Sequence, residues 1–190
     1  MMRSLLFLDH QVFLFINHLP HWWFTDWFAL FLSGVGSAGI IWICIGLYFF
    51  LREEKKDHRF FIPIVFSLVS CSLLVEGMLK FFFHRLRPNS MDGAYIVGSA
   101  TWFSFPSSHA AISWAMAVIF SHYEPRARTL WYALALFISL SRVYLGVHYP
   151  LDILVGSVIG WGIGSLALQL HLYSHKKKNT PRTVKRASHR

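Results

Sequence analysis

Long apolar runs alternate with short polar interruptions along this chain, and the lengths of the runs set the first expectation. Five stretches reach or approach the roughly 17–25 helical residues that cross a hydrocarbon core of about 30 Å: Gly34–Leu51, Phe60–Leu79, Ser107–His122, Thr129–Leu145 and Leu151–Tyr173. A strongly charged hairpin, Arg52–Arg59, separates the first two, and His122–Arg128 separates the third and fourth. Successive spans alternate direction, so these two loops and the C-terminal end share one side. Their excess of Lys and Arg predicts that this side is cytoplasmic. The opposite side receives His84–Phe105 and the link Arg142–Pro150.

The region before the first run admits two readings. Over Leu5–His18 the polar Asp9, His10 and Asn17 share one helical face, with Leu5, Leu8, Val12, Phe15 and Ile16 elsewhere. That amphipathic pattern suits a helix lying in the membrane interface. Pro20 ends it, and Trp22, Trp23 and Trp27 form an aromatic cluster typical of headgroup depth. A crossing within Leu5–Leu32 is the other reading, and it puts the amino terminus in the cytoplasm. The expected fold is an all-α integral membrane protein, a bundle of about six transmembrane helices: five clear spans plus an amphipathic or spanning N-terminal segment. Residues 1–173 form the membrane domain and 174–190 a basic, disordered cytoplasmic tail. In the last span Gly156, Gly160 and Gly164 recur every four residues, which permits close approach of another helix, with Asp152 one step earlier on the same ladder. Ala110, Ala111, Ala115 and Ala117 of the third strong span are the expected partners.

Composition agrees with a membrane protein. Of 190 residues, 55% are hydrophobic and 14% charged, where a soluble domain carries about a quarter charged. The net charge of +9 does not point to nucleic acid, because Lys176, Lys177, Lys178, Arg182, Lys185, Arg186 and Arg190 sit in a tail without acids. Such a tail is solvated and can touch anionic headgroups. Cys44 and Cys71 fall inside apolar runs and read as core residues, not as a disulfide or metal pair. Arg3 is the one early cation and Asp9 interrupts the first apolar stretch, so uncleaved spans are expected to drive insertion.

Three polar clusters at the ends of spans need a chemical reason, and all fall on the non-cytoplasmic side. They are Lys80 through Arg87-Pro88, then Pro106-Ser107-Ser108-His109, then Ser141-Arg142 with His148 and Asp152. Singly, each has an ordinary explanation: snorkelling cations at Lys80, Arg85 and Arg87, an interfacial His109, a helix-dipole partner at Asp152, a lipid-paired Arg142. Jointly they describe a phosphate cradle. Cations outside the cytoplasm run against the usual bias, and Lys80, Arg87 and Arg142 can grip phosphate oxygens. The helix start at Ser107 and Ser108 offers hydroxyls and free amides to an anion. Asp152, four residues after His148, can hold one ring nitrogen and leave the other bare to attack phosphorus, while His109 protonates the leaving oxygen.

These residues, in this order and spacing, resemble the type 2 phosphatidic acid phosphatase superfamily. Lys80 with Arg87-Pro88 matches its first motif and Ser141-Arg142, His148 and Asp152 its third. Pro106, Ser107 and His109 match the second, in which Ser108 stands where the family usually has glycine. The resemblance implies a lipid phosphatase that needs no metal or other cofactor, with His148 as nucleophile, Asp152 as its orienting partner and His109 as acid. Lys80, Arg87, Ser107, Arg142 and the Ser108 amide are then phosphate ligands. The compact length is similar to bacterial members acting on undecaprenyl diphosphate, phosphatidylglycerophosphate or lipid A, which implies an inner-membrane enzyme with its site on the periplasmic or extracellular face. A lipid phosphate is the implied partner, with no obligate protein partner evident. Glu76, four residues before Lys80, reads as a structural pair or a substrate gate. The competing readings are a metal site from His84, His109 and His148, a vanadate-dependent haloperoxidase chemistry, and a non-enzymatic lipid or anion carrier.

Overall fold

The computed structural model describes residues 2–52, 60–99 and 103–179, with no strand among them. The helices are α1 (Met2–Asn17), α2 (Trp23–Gly36), α3 (Ile40–Arg52), α4 (Phe61–Cys71), α5 (Lys80–Phe83), α6 (Ser108–Tyr123), α7 (Arg128–Tyr144) and α8 (Pro150–Asn179). A π-helical stretch, Ser72–Leu79, joins α4 to α5, so that Phe61–Phe83 forms one rod of 23 residues. Most of the charged hairpin and the tail cations Arg182, Lys185, Arg186 and Arg190 lie outside the described residues.

Two helices are long and apolar enough to cross a membrane singly, Phe61–Phe83 and Pro150–Ser174; α2 and α3 would add a third if the bent pair is one broken span. The expected run Gly34–Leu51 is not one helix. Its first residues close α2, and the chain bends by 66° before α3. Gly39 sits in that bend at φ +74°, where a Cβ would meet Leu68 Cδ2 at 2.7 Å and Ile112 at 3.1 Å. Only glycine takes that backbone without strain. The last helix also differs from expectation, continuing past Tyr173 to Asn179.

The amphipathic pattern of α1 is real, but its polar face points inward. Asp9 and Asn17 are buried beside Phe13, whereas Leu5, Leu6, Phe7, Leu8 and Phe15 are exposed. The polar residues clamp other parts of the chain. Asn17 Nδ2 donates to the carbonyls of Tyr95 (2.8 Å) and Tyr144 (2.9 Å), and His18 Nε2 reaches Gly93 O at 2.9 Å. In an apolar surrounding the energetic logic of an amphipathic helix inverts, and its hydrogen-bonding groups must be satisfied by protein.

Helix α6 is the axis of the bundle. Ala110, Ala111, Ile112, Ser113, Ala115, Met116, Ala117, Ile119 and Phe120 are all buried, and Phe120 stacks on Trp42 of α3 with ring centroids 5.8 Å apart. The small residues along α6 receive the glycine ladder of α8. A Cβ at Gly156 would strike the Ser107 carbonyl, one at Gly160 the Ala111 backbone, and one at Gly164 the Ala115 carbonyl at 2.6 Å. The two backbones therefore touch, as the spacing predicts. By contrast, Gly162 has nothing within 4 Å of its would-be Cβ. Gly160→Leu is expected to destabilise the protein by at least about 1–3 kcal/mol through overpacking, while Gly162→Ala is neutral or stabilising by up to about 1 kcal/mol. Thermal unfolding in detergent reads both, and equal midpoints for the two variants would contradict this packing.

Candidate active site

All three polar clusters arrive at one end of the bundle. The rod Phe61–Phe83 ends next to Lys80, α6 begins at Ser108, α7 ends two residues after Arg142, and Pro150 starts α8 just after His148. Between them lies a cavity of about 400 Å³ whose lining includes Lys80, Arg87, Ser108, His109, Arg142 and His148, together with Glu76. Two expected site residues, the ligand Ser107 and the orienting partner Asp152, stand outside this lining. Ser107 is fully buried, caps α6 through its hydroxyl to the Ala110 amide, and donates its own amide to Asp152 O at 3.0 Å. Asp152 is also fully buried, behind His148.

Contacts of the two imidazoles fix opposite tautomers. Arg87 Nη1 lies 3.1 Å from His148 Nε2. A guanidinium only donates, so Nε2 accepts and carries no proton. The proton sits on Nδ1, facing Asp152 Oδ2 at 3.3 Å. In contrast, His109 Nε2 lies 3.2 Å from the carbonyl oxygen of Ser33, which only accepts, so this nitrogen carries a proton. The Ser37 hydroxyl is also 3.2 Å from it. One ring presents a lone pair and the other a donor.

The cations each hold a weak or replaceable partner. Lys80 Nζ donates to Glu76 Oε1 at 2.7 Å, Arg87 Nη1 to the Val147 carbonyl at 2.6 Å, and Arg142 Nη1 to the Ser33 hydroxyl. Arg142 Nε is buried without an acceptor among the described residues. Burial above all, then the positive charges of Arg87, Arg142 and Lys80, hold the His148 imidazole well below the usual histidine range. Glu76 lies on the π-helical stretch, which turns it toward Lys80.

Several residues of this end were not anticipated as site components. Ser33 of α2 and Ser37, just past its end, carry no motif, because the contacts they make are to residues about seventy and more positions away. Arg85, whose ordinary explanation is a snorkelling cation, bonds instead to Asp9 and Asp152. His84 packs against Phe103 with centroids 4.6 Å apart and not with His109 and His148. Among the described residues no cluster of three or more His, Cys, Asp or Glu side chains is placed to hold a metal ion.

Three cations and two oppositely protonated imidazoles around one polar cavity are equipment suited to phosphoryl transfer. Comparison with known proteins carries this further. The family model described as the PAP2 superfamily matches residues 60–176. The lipid A 4'-phosphatase of Bacteroides thetaiotaomicron is 30% identical over 169 residues, covering 80% of this chain and 72% of that protein. The undecaprenyl-diphosphatase of Sulfolobus acidocaldarius is 32% identical over 152 residues, covering 78% and 72%. The solved transmembrane PAP2-type phosphatidylglycerolphosphate phosphatase of Bacillus subtilis shares the fold at a TM-score of 0.72 and 20% identity, covering 94% of this chain and 89% of that one. This chain belongs to the PAP2 superfamily. It is an integral membrane protein and a phosphoric ester hydrolase.

The environment of His148 makes a direct prediction. In the phosphate-free protein its ring stays neutral, as the Nδ1–H tautomer, when the pH falls through about 6.5, the ordinary histidine value. Histidine ¹⁵N NMR in micelles checks this, and a His148 titration centred near 6.5 would count against the geometry.

Proposed function

We propose that the enzyme removes phosphate from a lipid phosphomonoester or diphosphate through a phosphohistidine at His148. The observation that carries this reading is the unprotonated Nε2 of His148, which accepts from Arg87 at the edge of a cavity lined by Lys80, Arg87 and Arg142; an incoming phosphate takes over the Arg87 donor and meets that nitrogen. The lipid class is supported by the relatives, whose names specify lipid A and undecaprenyl diphosphate. Candidate substrates are those two, phosphatidylglycerophosphate and phosphatidate.

The chemistry runs in two displacements. His148 Nε2 attacks phosphorus, a P–N bond forms, and the bond from phosphorus to the leaving oxygen breaks. His109, protonated once the anionic phosphate occupies the cavity, gives that oxygen a proton. Lys80, Arg87, Arg142 and the first amides of α6 meet the charge on the phosphoryl oxygens, usually the largest catalytic contribution. The buried Nε–H of Arg142 gains an acceptor when phosphate enters. Asp152 keeps the His148 proton on Nδ1 and stabilises the ring as positive charge develops. Water then attacks phosphorus, His109 takes its proton, and the P–N bond breaks to release phosphate. Ser107 supports this site as the cap that fixes the start of α6.

The same reading makes residues 1–173 one membrane domain of about six crossings, with the basic hairpin and tail in the cytoplasm. The cavity then opens on the periplasmic or extracellular face of the inner membrane. No protein partner is needed for the chemistry described.

Phosphate release by the purified protein, measured on the four candidate lipids, tests the proposal. His148→Ala is expected to fall to background, and His109→Ala by roughly 10²–10⁴-fold, the range for general acid–base catalysis. Arg142→Ala is expected to lose activity by orders of magnitude while remaining folded. Near-normal turnover by His148→Ala would exclude the nucleophile.

A further inference from the structure

Behind the cavity, on the side of Asp152 away from His148, a second set of charges is buried. Arg85 Nη1 donates to Asp152 Oδ1 at 2.7 Å, and Arg85 Nη2 donates to Asp9 Oδ2 at 2.5 Å. The guanidinium carbon lies 4.1 Å from the centroid of the Tyr149 ring. Asp9, on α1, uses its other oxygen to accept from the Leu151 amide in the first turn of α8 at 2.8 Å. Asp152 uses its other oxygen to accept from the Tyr149 amide at 2.9 Å and to face His148 Nδ1. Asp9 is 4% exposed and Asp152 0%, so neither carboxylate has water to neutralise it. The planar fork of one arginine spans both, which a lysine ammonium cannot reproduce.

We infer that Asp9 and Arg85 are positioning residues for the His148–Asp152 pair, a two-carboxylate clamp that orients Asp152 and sets how much of its charge reaches the imidazole. The inference rests on the phosphohistidine reading above. Its physical basis is the division of one positive charge between two buried carboxylates. Arg85 does not line the cavity, so it acts on the reaction only through Asp152. By way of Asp9 the clamp also ties α1, far away in sequence, to the turn that carries the nucleophile.

The groups around His148 give the clamp a sign. Asp152 of α8 faces Nδ1, Arg87 faces Nε2, and the positive charges of Arg142 on α7 and Lys80 on α5 act on the ring from the cavity side. His109 of α6 lines the same cavity, and Arg85 and Asp9 stand behind Asp152. Removing the Arg85 charge raises the proton affinity of the coupled His148–Asp152 pair. Removing the Asp9 charge turns Arg85 wholly onto Asp152, which favours the neutral ring.

The test is the pH profile of kcat/KM for Arg85→Gln, Arg85→Lys and Asp9→Asn, with folding checked by circular dichroism and His148→Ala as control. The acid limb of kcat/KM reports the free enzyme. It is expected to move to higher pH in Arg85→Gln and to lower pH in Asp9→Asn, with Arg85→Lys between the parent and Arg85→Gln. In Arg85→Gln kcat falls roughly 10- to 100-fold, the scale of a misplacement of about 1 Å, while KM changes little. A merely structural salt bridge lowers the yield of folded enzyme but leaves the limbs in place. Limbs unmoved, or moved in the same direction, overturn the clamp even if His148→Ala is inactive. If Arg85→Gln fails to fold, Asp9→Asn and Arg85→Lys decide by the same criterion. An active His148→Ala overturns the nucleophile reading and the clamp together.

Discussion

Backbone contact between α6 and α8 brings the two imidazoles to one end of the bundle. Gly156, Gly160 and Gly164 bring α8 against the backbone of α6 at Ser107, Ala111 and Ala115. At the top of this seam the Ser107 amide donates to the Asp152 carbonyl at 3.0 Å. His109, two residues into one strand of the seam, and His148, just before the other, therefore emerge at the same level and line one cavity. A side chain at any of the three glycines would push the helices apart. Packing in lipid derives little from apolar burial and depends on such close approach, so the catalytic geometry and the stability of the bundle share one origin.

Electrostatics determine what that geometry is for. Four cations come together near this end, and their partners divide them into two kinds. Arg87 and Arg142 rest on a carbonyl and a hydroxyl, and Lys80 on the half-exposed Glu76. These contacts are easily exchanged for phosphate oxygens. Arg85 is instead shared between two buried carboxylates, an arrangement that an incoming anion has little power to displace. Three cations line the cavity and the fourth stands behind it, bound to Asp9 and Asp152. The two histidines are divided in the same way, one kept unprotonated at Nε2 by the donating Arg87 and the other held protonated at Nε2 by the Ser33 carbonyl.

Much of this was legible in the chain before any coordinates. Hydropathy and loop charge located the rod Phe61–Phe83 and the last helix, and the glycine period identified the face of α8 that meets α6. The motif spacing brought together Lys80, Arg87, His109, Arg142, His148 and Asp152. What escaped was non-local. Asp9 looked like an interruption in an amphipathic helix because its partners, Arg85 and the Leu151 amide, lie 76 and 142 positions away. Ser33 and Ser37 sit in an apolar run and acquire meaning only when the end of α2, before the bend at Gly39, lies beside His109. Ser107, expected as a ligand, also caps α6, and spacing alone does not distinguish a serine that binds an anion from one that caps a helix.

The most direct measurement is rapid-quench of the enzyme with radiolabelled lipid phosphate, followed by peptide mapping. The account predicts a transient, acid-labile and base-stable label on His148, formed before phosphate release. Label on a different residue, or turnover without any phosphoenzyme, would contradict it.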